Sequence, residues 1–438
     1  MVGTRGLDVG LGRRIHLPSD TPAWQAVLNH RERWRSRSHF LFLFLVSGFP
    51  VQPIEALGIG VRTPFGAGAE PLFWGLCEGK PAFVAYEPFV EAGLRHPFAA
   101  PLPADCLTDR NAGSSTDRGT RLLEAVVRDA LQEATGQADL SALGVAPQRV
   151  GLFVGTSAAG IGALTGLLAG RGDGSGARYH SGATWVARQL GVLGPVQVIC
   201  TVCASGAQAI AEACGWLRCG AIDRAIAAGY DVLEPFVGAG FDALGATADL
   251  PLPFRAQRSG LVLGEAGAAL VLARAGSHER EALGTVAGWA SASDAFHVTS
   301  PHPEGAGVER ALRAAFANAG VEARDVQAIN AHGTATVAND RMESRALHRV
   351  FGPKARPVTT VKGTIGHTLG AAGAVEAVVS LVSLAQTTIP PTCTGGSEDP
   401  ECDVDLVVEP RPMGPGFVVS VSAGFGGVNC VLVLGGPT

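Results

Sequence analysis

The sequence has no apolar run long enough to cross a membrane, and it carries comparatively little charge. Only 17% of its 438 residues are charged and the formal net charge is -5, so nothing points to nucleic-acid binding. Nine cysteines, an odd number without regular spacing, argue against a disulfide framework and for a reducing compartment. These absences predict a cytoplasmic protein that binds neither nucleic acid nor a membrane.

Apolar residues (47%) and glycine (59 residues) are abundant instead. This composition predicts an extensive core with many tight turns rather than disorder. Residues 1–53 differ, because several arginines precede the short apolar run Phe40–Val46. That order resembles a secretory signal or an Arg-rich transit segment, but the run starts late and has no clear cleavage site. We expect residues 1–53 to be a poorly ordered N-terminal extension and the globular part to begin at Ile54.

Residues 196–219 combine a strand, a sharp turn and a helix. The apolar, β-branched segment Val196–Val202 predicts a buried strand, and apolar residues recur at helical spacing from Ala207. Cys203 lies at the turn, where a side chain is presented to a cleft, as in a nucleophile elbow. The positive end of the helix dipole would favour its thiolate. Cys203 is therefore a candidate nucleophile, although a cysteine in such a turn is more often a packing residue.

The spacing Cys200-x-x-Cys203 also fits a redox dithiol or half of a zinc site. Residues three apart in a strand face opposite sides, and the sequence has no second Cys-x-x-Cys pair. Because the partner ligands are missing, we expect neither bound metal nor disulfide chemistry here.

The pattern of strands and helices is repeated along the chain. Val150–Gly155 and Val326–Ala331 are both predicted as buried strands that end beside polar residues. Each is followed by a second strand that turns through small residues into an apolar helix. Strands alternating with helices favour α/β layering. We therefore predict two similar halves, residues 54–283 and 284–438, which share one site.

Three further motifs place polar groups where apolar strands end. His332 lies in Asn-Ala-His-Gly-Thr-Ala-Thr, and Lys362 and His367 lie in Lys-Gly-Thr-Ile-Gly-His. The third motif is Gly-Phe-Gly-Gly-Val-Asn at 424–429. Each alone is typical of a structural histidine or an ordinary glycine turn. A cysteine, two histidines and a lysine, all at strand ends beside glycines, together indicate an active site.

In this order, the motifs resemble those of the β-ketoacyl synthases, from about residue 54 to the C terminus. The resemblance is greatest to the elongating type II ketosynthases, which are discrete enzymes that work with an acyl carrier protein. It implies the thiolase fold, in which two similar halves pack as a five-layer αβαβα sandwich, and usually a homodimer. A heterodimer with a ketosynthase-like partner is the other assembly that the resemblance allows.

The resemblance also implies a reaction, the decarboxylating Claisen condensation of fatty-acid or polyketide-type synthesis. Cys203 would accept an acyl chain from its carrier, and malonyl-carrier protein would supply an enolate. His332 and His367 would stabilise that enolate, and Lys362 would pair with Glu343 to order the site. No cofactor of the enzyme's own is implied, because the carrier protein brings the phosphopantetheine.

Other positions take supporting roles by the same resemblance. Asp340 and Glu343 would support the site, whereas Phe425 would act as a gate and, with Cys203, supply backbone N–H groups to an oxyanion. Substrate-binding positions are implied at Thr299, Ser300, Thr334, Thr336, Gly424 and Gly426.

The chain departs from the family pattern at three positions. Ala423 stands where many relatives carry Phe, Asn339 replaces a common Gly, and Arg255 replaces a usual Asp. None of these changes removes a catalytic group. The small side chain of Ala423 predicts a looser gate loop and a larger pocket.

Two other protein classes share parts of this pattern. A thiolase would use a second catalytic cysteine near the C terminus, but Cys430 lies within the final predicted strand. A chain-length factor, the non-catalytic partner in a heterodimeric ketosynthase, typically lacks the nucleophile. The presence of Cys203 with both histidines and the lysine therefore argues against that class.

The acidic carrier protein would dock on a basic patch near the mouth of the pocket. One predicted helix offers three candidates, Arg118, Arg121 and Arg128. An ordinary solvated helix face would carry the same residues, so both interpretations remain open.

Overall fold

The computed structural model describes residues 4–8, 14–18, 52–107, 117–392 and 395–437. The chain divides into two compact units, Met1–Pro50 and Val51–Thr438. In the first unit, strands β1 (Thr4–Asp8) and β2 (Arg14–Pro18) pair antiparallel. The rest of that unit, including the apolar run Phe40–Val46, lies outside the described residues.

Within its described residues, the second unit is built on a sheet of twelve strands and two smaller sheets. Its strands are β3 (Ile54–Thr63), β4 (Gly66–Ala67), β5 (Val84–Ala85), β6 (Phe98–Ala100), β7 (Val150–Gly155), β8 (Val196–Ile199), β9 (Arg224–Asp231), β10 (Leu263–Gly264), β11 (Ala266–Arg274), β12 (Gly284–Ser293), β13 (Val326–Asn330), β14 (Pro357–Thr359), β15 (Thr388–Ile389), β16 (Asp405–Leu406), β17 (Arg411–Pro412), β18 (Phe417–Gly424) and β19 (Val428–Gly435). The large sheet runs β16-β14-β13-β18-β19-β12-β3-β11-β9-β7-β8, with β4 paired to β3.

Ten of the twelve strands of the large sheet form two sets of five with the same pairing, and β4 and β16 are additions to these sets. In the first set, β11 is antiparallel to both β3 and β9, whereas β7 is parallel to both β9 and β8. In the second set, β12, β19, β18, β13 and β14 follow the same series of directions. The sets join where β3 and β12 pair over three residues. The duplication predicted from the sequence is thereby confirmed.

Helices form the other layers of this unit. They are α1 (Ala69–Cys77), α2 (Glu87–Glu91), α3 (Arg118–Thr135), α4 (Ile161–Leu168), α5 (Ser181–Leu190), α6 (Ser205–Arg218), α7 (Pro235–Ala243), α8 (Ala306–Ala319), α9 (Val337–Phe351), α10 (Lys362–Ile365) and α11 (Ala372–Ala385). Helices α6 and α11 contact each other between the two strand sets, and α3 and α5 cover the first set. Helix α8 covers the second set, and α9 packs on α8 and shares one core cluster with the strands of that set. The result is the predicted five-layer αβαβα sandwich. Among the described residues, no helix is long and apolar enough to span a bilayer.

The two central helices touch backbone to backbone through glycines. A Cβ added at Gly206 would lie 2.8 Å from the backbone nitrogen of Ala374. One added at Gly373 would lie 2.6 Å from that of Ala207. Only glycine allows so close an approach. Because Cys203 precedes α6 directly, this contact brings the nucleophile's turn close to the second half of the chain.

The strand before Cys203 differs from its prediction. The sequence predicts a buried strand over Val196–Val202, whereas β8 ends at Ile199 and Val196 is 39% exposed. The reason is its position, because β8 is the last strand of the large sheet and has one free edge within the described chain. Its apolar side chains therefore lie at an edge rather than in the core.

Candidate active site

Cys203 lies in a tight turn between β8 and α6. A 3₁₀ turn over Val202–Ala204 connects them, and Cys203 is 4% exposed. Val202 has a φ of 53°, which is strained for a β-branched residue. Its carbonyl oxygen accepts hydrogen bonds from the hydroxyls of Ser157, at 2.8 Å, and Ser205, at 2.5 Å. Two neutral hydrogen bonds thus hold the residue that directs the cysteine.

The thiol is protonated in this environment. Burial raises the pKa of Cys203 to about 12, and the nearby Lys362 charge only partly opposes that increase. The sequence predicts a thiolate favoured by the helix dipole, whereas desolvation, the largest influence on the pKa of this thiol, favours its protonated form in the free protein. A partner must therefore take the proton when the sulfur attacks.

Two buried histidines are placed to do this. The rings of His332, after β13, and His367, after α10, lie with centroids 5.4 Å apart and planes at 88°. Burial and the charge of Lys362 lower the pKa of both imidazoles well below the usual range, so both are neutral. Within the described chain, Nδ1 of His332 and both ring nitrogens of His367 are buried without a hydrogen-bond partner. Such nitrogens are available to a substrate oxygen or a transferred proton.

Glu343 fixes the loop that carries His332. Its carboxylate accepts the backbone N–H of His332 at 2.7 Å and of Gly333 at 2.8 Å. Burial raises the pKa of Glu343 to about 7. The neighbouring Asp340 acts similarly, accepting the backbone N–H of Phe254 at 2.7 Å, and burial raises its pKa to about 6.

Lys362 pairs with Glu376, not with Glu343 as predicted. Its ammonium group contacts the Glu376 carboxylate, and the two side chains are 1% and 0% exposed. Glu376 also accepts the hydroxyl of Ser422 at 3.3 Å. Sequence reasoning missed this glutamate, although it is the one acidic residue in α11, a helix that is otherwise apolar apart from two serines. The correction has a simple cause, since the carboxylate of Glu343 is already occupied by backbone N–H groups.

A cavity of about 340 Å³ brings most of the predicted residues together. Its wall includes Cys203, Thr299, Ser300, His332, Thr334, Thr336, His367, Gly424 and Phe425. Lys362, Asp340 and Glu343 are buried but do not line it. Gly426, predicted to bind substrate, is not in the wall either, and its N–H donates to the carbonyl of Val298 at 2.6 Å.

The Gly-rich segment at 424–427 approaches the cysteine closely. A Cβ added at Gly424 would lie 2.8 Å from the carbonyl oxygen of Thr201 and 3.3 Å from the backbone nitrogen of Cys203. Gly424 therefore contacts the turn that carries Cys203, and Phe425 is the next residue in the chain. Its ring stacks on Phe241 with centroids 5.8 Å apart.

Sequence motifs missed the apolar side of the cavity. Four side chains from α7 and the segments after it belong to this side: Phe241, Leu244, Ala246 and Leu261. The segment is rich in glycine and leucine, and its four wall residues are apolar side chains without a catalytic group. Only its stacking against Phe425 in the folded chain identifies it.

Two of the three arginines proposed for docking, Arg118 and Arg128, have partners inside the protein. Arg118 forms an ion pair with the fully buried Glu265. Arg128 donates to Glu124 at 2.8 Å and to the carbonyl of Ala138 at 3.1 Å. The role of α3 in docking stays a prediction.

A duplicated αβαβα fold with one buried cysteine and two histidines in a shared cavity defines the thiolase-like condensing class of proteins. Two family models match the chain, "Beta-ketoacyl synthase, N-terminal domain" over residues 52–278 and "Beta-ketoacyl synthase, C-terminal domain" over residues 283–395. The chain belongs to the β-ketoacyl synthase family.

Individual relatives agree with this assignment. The chain is 34% identical over 417 residues to the tetracenomycin polyketide synthase ketoacyl synthase alpha subunit of Streptomyces glaucescens, covering 87% of this chain and 96% of that protein. It is similar to the solved ishigamide ketosynthase/chain length factor, with a TM-score of 0.81, 28% identity and 88% and 100% coverage. A β-ketoacyl synthase from Burkholderia phymatum gives a TM-score of 0.80, 29% identity and 88% and 99% coverage.

Proposed function

We propose that this chain condenses an acyl group with malonyl-acyl carrier protein to give 3-ketoacyl-acyl carrier protein. The observation that carries the proposal is one cavity in which a buried thiol meets two neutral imidazoles with unpartnered nitrogens. The cysteine supplies a covalent site for the acyl group, and the imidazoles supply donors for an enolate.

The first step transfers the acyl group to the enzyme. The Cys203 sulfur attacks the carbonyl carbon of the acyl-carrier thioester, and the thiol proton passes through a neutral imidazole to the departing carrier thiol. The backbone N–H groups of Cys203 and Phe425 would hold the oxyanion formed in between. The close approach of Gly424 to the cysteine's turn supports this pairing of donors.

The second step generates the nucleophile for carbon–carbon bond formation. Malonyl-carrier protein loses carbon dioxide, and the bonding electrons form an enolate whose charge develops on the thioester oxygen. His332 and His367 would donate hydrogen bonds to that oxygen. Their lowered pKa values support donation by neutral rings, which needs no charged group to be buried beforehand.

The third step joins the two groups. The enolate carbon attacks the acyl carbon on Cys203, the bond between carbon and sulfur breaks, and the resulting thiolate takes up a proton from solvent. The 3-ketoacyl chain leaves on the carrier protein. All groups come from the two thioesters and the side chains above, so we propose no cofactor of the enzyme's own.

The cavity walls suggest where the substrate lies. Thr334 and Thr336, whose hydroxyl oxygens are 3.0 Å apart, are proposed to bind the pantetheine arm. Phe425 is proposed as the gate between this channel and the acyl pocket. Ala423 lies in the same wall, and its small side chain leaves room beside the gate.

We further propose that the enzyme is a homodimer whose partner pairs with the free edge of β8. An unpaired strand edge with exposed Val196 is a site for strand addition. The equivalent strand of the second half, β14, is covered by β16. The solved ishigamide protein, a ketosynthase/chain length factor, makes a heterodimer the alternative, and the mass of the purified assembly distinguishes the two.

Intact-protein mass after incubation with a series of acyl-carrier thioesters tests the function. We expect an acyl-sized adduct on the wild type and none on Cys203→Ala. Cys200→Ala is the matched control, because that thiol is three residues away but exposed. It should keep the adduct. An adduct that persists in Cys203→Ala would mean that another cysteine is the nucleophile.

A non-catalytic chain-length-factor role is not favoured. It would predict no adduct with any chain length and activity only in a tight heterodimer with another ketosynthase. The retained Cys203, His332 and His367, gathered in one cavity, have no use in such a subunit.

A further inference from the structure

Asp231 is a buried carboxylate that the proposed reaction does not use. It is the last residue of β9 and is 1% exposed. Burial raises its pKa, so ionisation at this position must be offset by strong hydrogen bonding. Four donors surround it, and they come from both halves of the chain.

On the first half, Asp231 holds the segment after β7. The hydroxyl of Thr156 donates to it at 2.7 Å, and the backbone N–H groups of Ser157 and Ala158 donate at 2.8 Å and 3.0 Å. Ser157 in turn donates its hydroxyl to the carbonyl of Val202 at 2.8 Å. Asp231 is thus connected, through one residue, to the strained peptide that precedes Cys203.

On the second half, Asp231 holds the segment after His367. The backbone N–H of Gly370 donates to its Oδ2 at 2.7 Å. A Cβ at Gly370 would lie 2.6 Å from the backbone nitrogen of Ser157, so the two segments touch at this point and only glycine fits. The backbone of His367 is itself fixed by two hydrogen bonds. Its N–H donates to the carbonyl of Val262 at 2.7 Å, and its carbonyl accepts the N–H of Gly264 at 3.0 Å.

The same carboxylate oxygen, Oδ2, accepts from Ser157 and from Gly370. We propose that Asp231 is a positioning residue that sets the separation between Cys203 and His367 by holding the segments next to both. This inference rests on the proposed function, in which the enolate formed beside His367 must reach the acyl group on Cys203. An error of about 1 Å in that approach can cost about a hundredfold in rate.

A change in this separation affects the two chemical events differently. Decarboxylation needs the histidines and the malonyl group, whereas condensation also needs the acyl-cysteine at attacking distance. A displaced pair would still release carbon dioxide but would form fewer carbon–carbon bonds. A loss of folded enzyme would lower both rates equally, so the ratio of product to carbon dioxide isolates positioning from stability.

The experiment measures 3-ketoacyl product and carbon dioxide together in wild type, Asp231→Asn, Ser157→Ala and Thr156→Val. The asparagine keeps the shape but replaces one acceptor with an NH₂ group, which cannot accept from two N–H donors. We expect the ratio of product to carbon dioxide to fall at least about tenfold in Asp231→Asn. Ser157→Ala, which cuts only the link to Val202, should lower it less.

Thr156→Val is the matched control. It removes the hydrogen bond that Thr156 donates to Oδ1 of Asp231, whereas Gly370 donates to Oδ2. The ratio of product to carbon dioxide in this variant should stay near that of the wild type. A ratio of product to carbon dioxide that is unchanged in Asp231→Asn overturns the inference. If Asp231→Asn does not fold, an unchanged ratio in Ser157→Ala overturns it instead. A wild type that forms no acyl-enzyme and releases no carbon dioxide instead refutes the proposed function, and the inference with it.

Discussion

The cysteine of the first half and the histidines of the second lie near corresponding strand ends, but different interactions hold them. The turn before Cys203 is fixed directly by neutral hydroxyl groups on the carbonyl of Val202, and the carboxylate of Asp231 reaches this turn only through Ser157. The histidine side depends on buried ionisable groups, the Lys362–Glu376 pair and the carboxylate of Glu343. A neutral hydrogen bond contributes about 1 kcal/mol, whereas an unpaired buried charge costs several. The histidine side should therefore be the more sensitive to substitution.

The largest effect is expected when the buried ion pair is broken. Lys362→Met leaves the Glu376 carboxylate without its cation and should lower the free energy of unfolding by about 3–5 kcal/mol. The pKa of Glu376 is already raised by burial, and losing Lys362 raises it further. Glu376 of the folded variant then binds a proton more tightly than Glu376 of the unfolded chain. The loss in the free energy of unfolding should therefore grow as the pH rises above the pKa of Glu376 in the unfolded chain. Denaturant unfolding at pH 5.5 and 7.5 measures this.

Lys354→Met is the control for that experiment. Lys354 also pairs with carboxylates, those of Glu398 and Asp403, but its side chain is 49% exposed. We expect its free energy of unfolding to stay close to that of the wild type. Equal losses in the two variants would mean that burial does not distinguish the two pairs.

The next effect in size is expected at Glu343. In Glu343→Gln, an NH₂ group replaces a carboxylate oxygen that accepts one of the two backbone N–H groups. That N–H group loses its acceptor, which should lower the free energy of unfolding by about 1–3 kcal/mol. Condensation should fall by about a hundredfold because the His332 loop loses its fixed position. Glu304→Gln, an exposed glutamate paired with Arg345, is the control and should leave both quantities unchanged.

The pH profile checks the same residue independently. With a pKa of about 7, Glu343 gains a proton as pH falls through neutrality and becomes a weaker acceptor for the two N–H groups. The wild-type kcat should therefore fall below about pH 7, and Glu343→Gln should lack that part of the profile. An identical acid limb in the variant would assign it to another group.

A smaller effect is expected on the cysteine side. Ser205→Ala removes a donor to the carbonyl of Val202 and an acceptor for the backbone N–H of Thr201. We expect a loss of about 1–2 kcal/mol in the free energy of unfolding. Ser383→Ala in α11 is the control, since that buried hydroxyl only bonds back to the carbonyl of Val379 and its removal should be nearly neutral. A Ser205 effect as large as that of Lys362 would contradict the comparison.

The sequence predicted elements whose ends are fixed locally. The residue pattern of the sequence predicts one helix over Arg118–Thr135 and another over Ser181–Leu190. Both helices have these bounds in the structure, and both end at left-handed glycines. The Asp117 side chain caps the first of them by accepting the N–H groups of Gly119 and Thr120. Such signals lie within a few residues of the helix ends, so they can be read without the fold.

The errors concern properties that depend on the whole fold. The apolar composition of β8 predicts burial, but its place at the sheet edge leaves Val196 exposed. Lys362 needed a carboxylate, and sequence alone could not choose between Glu343 and Glu376. That choice depends on which glutamate is already bound by backbone N–H groups.

The smallest effect is expected at an ion pair on α3 whose two residues do not line the cavity. Arg128→Glu replaces a favourable i, i+4 pair with Glu124 by a repulsive one, which should cost about 0.5–1 kcal/mol in stability. The KM for malonyl-carrier protein should change less than about twofold, because the guanidinium is already bound to Glu124 and the carbonyl of Ala138. A several-fold rise in KM, at unchanged kcat and with strong dependence on ionic strength, would instead place carrier docking on α3.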